Sequence, residues 1–247
     1  MRLSPLLFRR IHKWIGLILG LQFVIWTISG AVMAVLDMET VAGGPSPPRV
    51  EAALLPGSSG TWPVVQRSLG TVPITSLTVR PLLNRHVFEI VTPTGTRLFD
   101  AATGNPVQVD AAFAHRLAQA GYTGVGAIES VALLSKPTLA IREHGAPAWR
   151  VDFADESNSS FYISQTTGRL LERRNDTWRI WDFVWMLHNM DYVNRTSFNH
   201  PLIITVGFGI VWLAITGFYL LFKSAWRADL RWLRSRRIGR GRVPDLK

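Results

Sequence analysis

The chain has 247 residues, no cysteine and a formal charge of +10. The missing thiols exclude disulfides, thiolate metal sites, redox dithiols and C-x-x-C-H cofactor attachment. Residues 1–13 carry four Lys/Arg and no acid, residues 223–247 carry nine Lys/Arg against Asp229 and Asp245, and the middle is near neutral, with 14 basic and 15 acidic residues. A basic excess confined to the two ends excludes a nucleic-acid groove and reads as an orientation signal at a membrane.

Residues 1–13 form a basic N-terminal segment with Arg2, Arg9, Arg10 and Lys13. Residues 14–36 follow, 23 without a charge. At ~1.5 Å per residue they span roughly 34 Å, enough for a bilayer core of about 30 Å. A signal peptide would have an apolar region of only ~7–15 residues. Residues 37–59 hold "GGPSPP" and "PGSS" and read as a linker.

Two similar units follow. Residues 60–109 contain the helical pattern "TWPVVQRSLG" and then "HVFEIVTPTGTRLFDAATGNPVQV". Residues 110–175 contain "DAAFAHRLAQAG" and then "AWRVDFADESNSSFYISQTTGRLLER". Asp110 predicts an N-cap and Gly121 a C-terminal stop. Each hairpin ends in a Thr-Gly turn, Thr103-Gly104 and Thr167-Gly168, offset by 64 residues. Glycine suits such a turn because it adopts positive φ without a Cβ clash. The layout predicts two units, each a helix on a small antiparallel sheet.

Residues 176–200 open with "DTWRIWDFVWMLHNMDY", in which Trp178, Trp181, Trp185 and His188 recur at steps of three and four. That spacing predicts an amphipathic juxtamembrane helix. Trp14, Trp178, Trp181, Trp185 and Trp226 suit interfacial anchors. Residues 201–222 are a second uncharged run, and residues 223–247 read as a basic tail whose last part, "RRIGRGRVPDLK", is poorly ordered. The positive-inside tendency places both termini in the cytoplasm and residues 37–200 outside a bacterial inner membrane, in the periplasm.

The hairpin "W-R-V-D-F … Y-I-S-x-x-T-G-R-L-L" resembles a PepSY domain. "R-x-I-H-K-W-I-G-L" and "L-H-N-M-D-Y … H-P-L-I … G-F-G-I … T-G" resemble the membrane segments of PepSY-associated transmembrane proteins. The resemblance covers roughly residues 9–36 and 60–222. Larger members have about four spans and bind b-type haem, and some reduce ferric iron or ferric siderophores. Two spans look like half of that arrangement, which implies a homodimer.

The resemblance implies haem b held by histidines, and the spans offer three. His12 sits at the cytoplasmic lip of the first span, and its helical stripe runs through Gly16, Leu19, Gln22, Trp26, Ser29, Gly30 and Met33. Gly16 and Gly20 form a G-x-x-x-G that admits close approach of a helix or a flat ring. His200 begins the second span, ahead of Pro201 and in line with Gly207, Ala214 and Gly217. His188 is a third ligand candidate, and Trp185 could stack on a ring. The competing readings are an interfacial residue for His12 and a cap for His200. His86, His115 and His144 read as surface residues, any of which could touch an external iron chelate. His12 and His200 are too far apart to share an iron within one chain. His12 could pair with its symmetry mate, and His188 and His200 could co-ligate.

Arg150, Arg169, Arg173 and Arg174 cluster near the second Thr-Gly turn. They read either as a solvated sheet edge or as a docking site for an anionic ferric chelate. No hydrolase triad order, H-E-x-x-H, P-loop or dinucleotide fingerprint appears, so electrons must come from a quinol or a separate cytosolic donor. The leading expectation is a membrane b-type cytochrome that reduces ferric iron or a ferric siderophore. The alternative is a non-enzymatic module that binds or regulates a partner such as a protease or an iron-uptake component.

Overall fold

The computed structural model describes residues 5–45 and 58–239. In chain order the elements are α1 (Pro5–Val35), α2 (Met38–Val41), α3 (Trp62–Leu69), β1 (Ser76–Leu82), β2 (Arg85–Thr92), β3 (Gly95–Asp100), α4 (Ala111–Gly121), β4 (Ala127–Leu134), β5 (Ala148–Ala154), β6 (Ser160–Ser164), β7 (Leu170–Arg174), α5 (Asp176–Asn189) and α6 (Pro201–Gly239). They form two bodies. One runs from Val35 to Phe183, and the other joins the chain up to Ala34 with the chain from Val184, so the division falls inside α5.

The helical body is built from two long apolar segments. Arg9–Val35 and Pro201–Phe222 each have a mean hydropathy of 2.0. Only 6% and 11% of their apolar windows are buried, whereas the core helix of a water-soluble protein would be mostly covered. Both are long and apolar enough to cross a bilayer. Pro201 starts α6 where its missing N–H costs nothing, and His200 O accepts the first helical bond from Ile204 N at 3.3 Å.

Small residues set the packing of the two helices. A Cβ on Gly209 would lie 2.8 Å from Leu19 Cδ1, and one on Gly16 would lie 3.9 Å from Leu213 Cδ2. His12 meets Thr216 and Gly217. As the α1 position falls from 19 to 16 to 12, the α6 partner rises from 209 to 213 to 216, so the helices run antiparallel.

Both long helices extend beyond the uncharged runs. α1 runs unbroken from Pro5 past His12 to Val35. α6 continues to Gly239, so the start of the tail expected to be poorly ordered, residues 236–239, is helical. Lys223, Arg227, Arg231 and Arg234 recur at steps of three and four, which suits a helix. Arg2 and residues 240–247 lie outside the described residues, as does the 46–57 part of the linker.

In the other body, β1-β2-β3 make a three-stranded antiparallel sheet and β4-β5-β6-β7 a four-stranded one. On the first sheet, α3 packs Val65 and Leu69 against Phe88, Ile90, Phe99 and Ala101. From α4, Phe113, Ala114 and Ala118 enter one core with Leu82, Val87 and Leu98 of the first sheet and Val151, Phe153, Phe161 and Ile163 of the second. Asp110 caps α4 by accepting from Phe113 N at 2.7 Å. Gly121 is the last helical residue, and Tyr122 forms the C-cap.

The two Thr-Gly turns match bond for bond. Gly104 N donates to Asp100 O and Gly168 N to Ser164 O, both at 2.8 Å. Asn105 N reaches Thr103 Oγ1 and Arg169 N reaches Thr167 Oγ1, both at 3.3 Å. Phe99 pairs with Pro106 as Ile163 pairs with Leu170, again 64 residues apart. The second unit extends this pair into strand β7. The first stops at a single bridge.

Residues 37–45 are structured, which corrects the linker expectation there. Asp37 caps α2 through Thr40 N at 2.8 Å. Asn175 Nδ2 donates to Thr40 O at 2.7 Å, and Arg173 donates to Pro45 O at 2.6 Å and Gly44 O at 2.8 Å. The start of α5 is also part of this body. Trp178 is 8% exposed and lies under the Arg174 guanidinium at 4.1 Å, so it is a core residue and not an interfacial anchor.

Gly168 has φ +66°, and a Cβ there would sit 3.2–3.4 Å from Leu82, Val109 and Leu117. Gly168→Ala is expected to destabilise the sheet body by about 1–3 kcal/mol, through left-handed strain plus crowding of the shared core. Urea unfolding followed by Trp fluorescence measures it, and an unchanged midpoint would refute the account.

Candidate functional site

The polar side chains of the helical body concentrate around two histidines. On α1, His12 has its Nδ1 2.8 Å from Thr216 Oγ1 on α6. Gly217 lies against the ring, and a Cβ there would come 3.4 Å from His12 Cε1. Beside His12 opens a groove of about 510 Å³, walled by Leu19, Leu213 and Ala214 with Gly16 and Gly20 on one side. Nothing lies within 4 Å of a Cβ built on Gly20, so this stretch of the groove is open.

Near the other end of α1, His188 repeats the arrangement. Its Nδ1 is 3.0 Å from Ser29 Oγ, and a Cβ on Gly30 would come 3.3 Å from His188 Cε1. The Trp26 ring lies 6.4 Å from the imidazole, tilted by 39°. Thr216-Gly217 and Ser29-Gly30 are thus two hydroxyl–glycine pairs, each receiving an imidazole from another helix. His12 and Ser29 are 17 residues apart on one helix, about 26 Å of rise. The two imidazoles therefore cannot share a metal ion within one chain.

His200 is placed differently. Its Nε2 is 2.8 Å from Asn189 O. A carbonyl only accepts, so this nitrogen carries the proton and donates. The ring closes the loop between α5 and α6. Asp191 organises the same loop, accepting from Asn194 N at 3.0 Å, Thr196 N at 2.8 Å and Ser197 N at 3.3 Å. Trp185 packs edge-on against Phe198 at 5.6 Å. The expected co-ligation by His188 and His200 therefore lacks the Nε2 of His200, and Trp185 faces a phenyl ring. Gly207 has nothing within 4 Å of a built Cβ.

Gln22 Nε2, Trp26 Nε1 and Asn189 Nδ2 are buried and have no hydrogen-bond partner among the described residues. Gln22 and Trp26 share the α1 face that leads to Ser29. All three atoms are donors, so what the body lacks is an acceptor.

In the sheet body each arginine of the expected docking cluster has an internal partner. Arg150 Nε binds Asp152 Oδ1 at 2.8 Å, and Arg169 Nη2 binds Glu89 Oε1 at 3.1 Å. Arg173 holds the 44–45 carbonyls. Arg174 Nη2 meets Glu172 Oε2 at 3.0 Å while its plane covers Trp178. Glu89 also binds Arg80, whose Nη2 reaches Thr167 O. Burial would raise the Glu89 carboxyl, but Arg169 and Arg80 outweigh it and hold the group below the ordinary glutamate value. The four guanidiniums are tied to separate partners and do not converge on an anion site. His144 is similarly engaged, with Nε2 2.8 Å from Glu172 Oε1. No cluster of three metal-ligating side chains occurs among the described residues.

Comparison of the chain with family models, curated proteins and solved structures gives no match. Sequence reasoning reached His12 and His188 but missed Thr216 and Asn189, and it gave Ser29 no role. The available signal was a hydroxyl residue directly before glycine, "SG" and "TG", inside each apolar span.

Burial pushes the Asp191 carboxyl up, but the N–H groups of Thr196, Asn194, Arg195 and Ser197 prevail and bring it down to about 2 from 3.8. A depressed carboxyl stabilises the folded loop above its unfolded value and loses that effect as pH falls through the folded one. Amide protection at Asn194, Thr196 and Ser197 is expected to persist above pH 3.8 and to collapse toward pH 2. Hydrogen exchange, referenced to unfolded-chain rates, measures this, and Asp191→Ala is expected to abolish the protection at neutral pH.

Proposed function

We propose that the chain is a b-type membrane cytochrome resembling the PepSY-associated transmembrane proteins. It crosses a bacterial inner membrane twice, with both termini cytoplasmic and the sheet body periplasmic, and it moves electrons outward to a ferric complex. The observation that carries this reading is the pair of imidazoles held about 26 Å apart along α1, near the two ends of the spans. Arg9, Arg10 and Lys13 at the start of α1 support the orientation.

The residues around His12 fit a flat macrocycle. The groove is apolar, glycines open its floor, and one imidazole stands at its edge. His12 would bind the iron there, while Gly16, Gly20 and Ala214 leave room for the ring. His188 would hold the outer site, where Gln22 and Trp26 supply unmatched donors for acceptor atoms. His200 would hold the loop shut and not serve as a ligand. Bound haem would supply one-electron transfer at each face of the lipid. The groove is open on one side, and both spans are largely uncovered. A second copy packed on this face would close the site and exclude lipid, which makes the functional unit a homodimer. The electron donor would be a quinol or a separate cytosolic protein, and ferric iron or a ferric siderophore would be the acceptor.

Full-length protein purified in mild detergent from haem-supplied cells is expected to show a Soret band and split visible bands after dithionite. Its mass is expected to be that of a dimer. His12→Ala should remove one haem population and leave far-UV circular dichroism unchanged. Gly20→Leu should do the same by filling the groove, with both histidines intact. Colourless parent protein, or equal haem content in parent and His12→Ala, would rule the reading out.

A further inference from the structure

The hydroxyls beside the two histidines have their own protons engaged. Thr216 Oγ1 donates back along α6 to Trp212 O at 2.8 Å, with Leu213 O at 3.2 Å. Ser29 Oγ donates to Trp26 O at 3.2 Å. A hydroxyl has one proton and two lone pairs, so each oxygen faces its imidazole as an acceptor. His12 Nδ1, at 2.8 Å, and His188 Nδ1, at 3.0 Å, must then be the protonated nitrogens. The opposite tautomer would put an Nε2–H into the apolar groove at His12, where no acceptor stands among the described residues. An unmatched donor among apolar side chains is costly.

We propose that Thr216 and Ser29 are positioning residues which lock His12 and His188 as Nδ1–H tautomers and present each Nε2 lone pair to a metal. Gly217 and Gly30 complete the device by letting each ring lie against the helix backbone, at 3.4 Å and 3.3 Å from the Cβ that another residue would carry. Each ligand is thus oriented by a different helix from the one that bears it. The acceptor is a neutral hydroxyl, so the Nδ1–H keeps its proton and the imidazole gains modest basicity. A carboxylate in that place would push it toward imidazolate. The identity of the metal, haem iron, rests on the function proposed above; the tautomer assignment does not.

The test uses full-length, haem-free protein labelled with ¹⁵N-histidine in lipid nanodiscs, with signals assigned from single histidine variants. His12 and His188 are expected to show a protonated Nδ1 and a bare Nε2. Thr216→Val should move His12 alone toward the Nε2–H form, and Ser29→Ala should move His188 alone. Thr216→Ser should restore the parent spectrum, which separates hydrogen bonding from packing. In haem-loaded protein, Thr216→Val should raise the reduction potential of one haem and leave the other unchanged, because a less basic ligand stabilises the ferric state less. A parent spectrum with Nε2–H at either histidine, or no response to removal of the hydroxyl, would overturn the proposal. Colourless protein with the expected tautomers refutes the haem reading and leaves this one standing. Haem-loaded protein whose tautomers ignore Thr216 and Ser29 does the reverse.

Discussion

A polar ring placed between apolar helices must have its N–H accepted, and that requirement organises the helical body. Apolar neighbours offer no acceptor, so it comes from a polar group of the facing helix. Here it is a hydroxyl whose proton is already spent on its own helix. The same back-bonding appears at Thr27, which donates to Phe23 O, and at Thr205, which donates to Pro201 O, so these hydroxyl protons are satisfied within their own helices. Because Thr216 must meet His12, the antiparallel register of α1 and α6 is constrained at that point. A slip of one residue would rotate the hydroxyl by about 100° around the helix and strand the imidazole.

Two equivalent imidazole seats stand roughly 26 Å apart, one toward each end of α1. Each offers a single imidazole. Under the proposed function a macrocycle and a second chain would complete them, and electrons would have to cross that separation. The all-donor shortage at Gln22, Trp26 and Asn189 has the same sense, an incomplete polar surface waiting for acceptor atoms.

The sheet body follows a different logic. Its two units share a turn down to individual hydrogen bonds, yet they diverge just after it. The first makes a single bridge at Pro106 and its sheet ends at three strands, whereas Leu170 opens strand β7 and the second sheet reaches four. The arginines near the second turn serve this architecture. Glu89 on the first sheet binds Arg169 on the second unit's turn, which ties the two sheets electrostatically across their shared core. A basic cluster in sequence became a set of separate internal pairs: Asp152 and Glu172 on the same strands as Arg150 and Arg174, Glu89 on the other sheet, and the carbonyls of residues 44–45.

Local chemistry made much of this protein legible. Uncharged runs of bilayer length, the Asp110 cap, the Thr-Gly turns and the 64-residue repeat depend on neighbours within a few residues, and composition and spacing encode them directly. So does the presence of histidine at each span edge. Other features hinged on residues far apart in the chain: Thr216 with His12, 204 residues away, and Ser29 with His188, 159 away. The engagement of His200 Nε2 by Asn189 O and the burial of Trp178 likewise emerge only in the tertiary fold. Hydrogen bonds between helices depend on rotation and register, quantities that the packing of side chains such as Leu19 against Gly209 sets and that no linear pattern records.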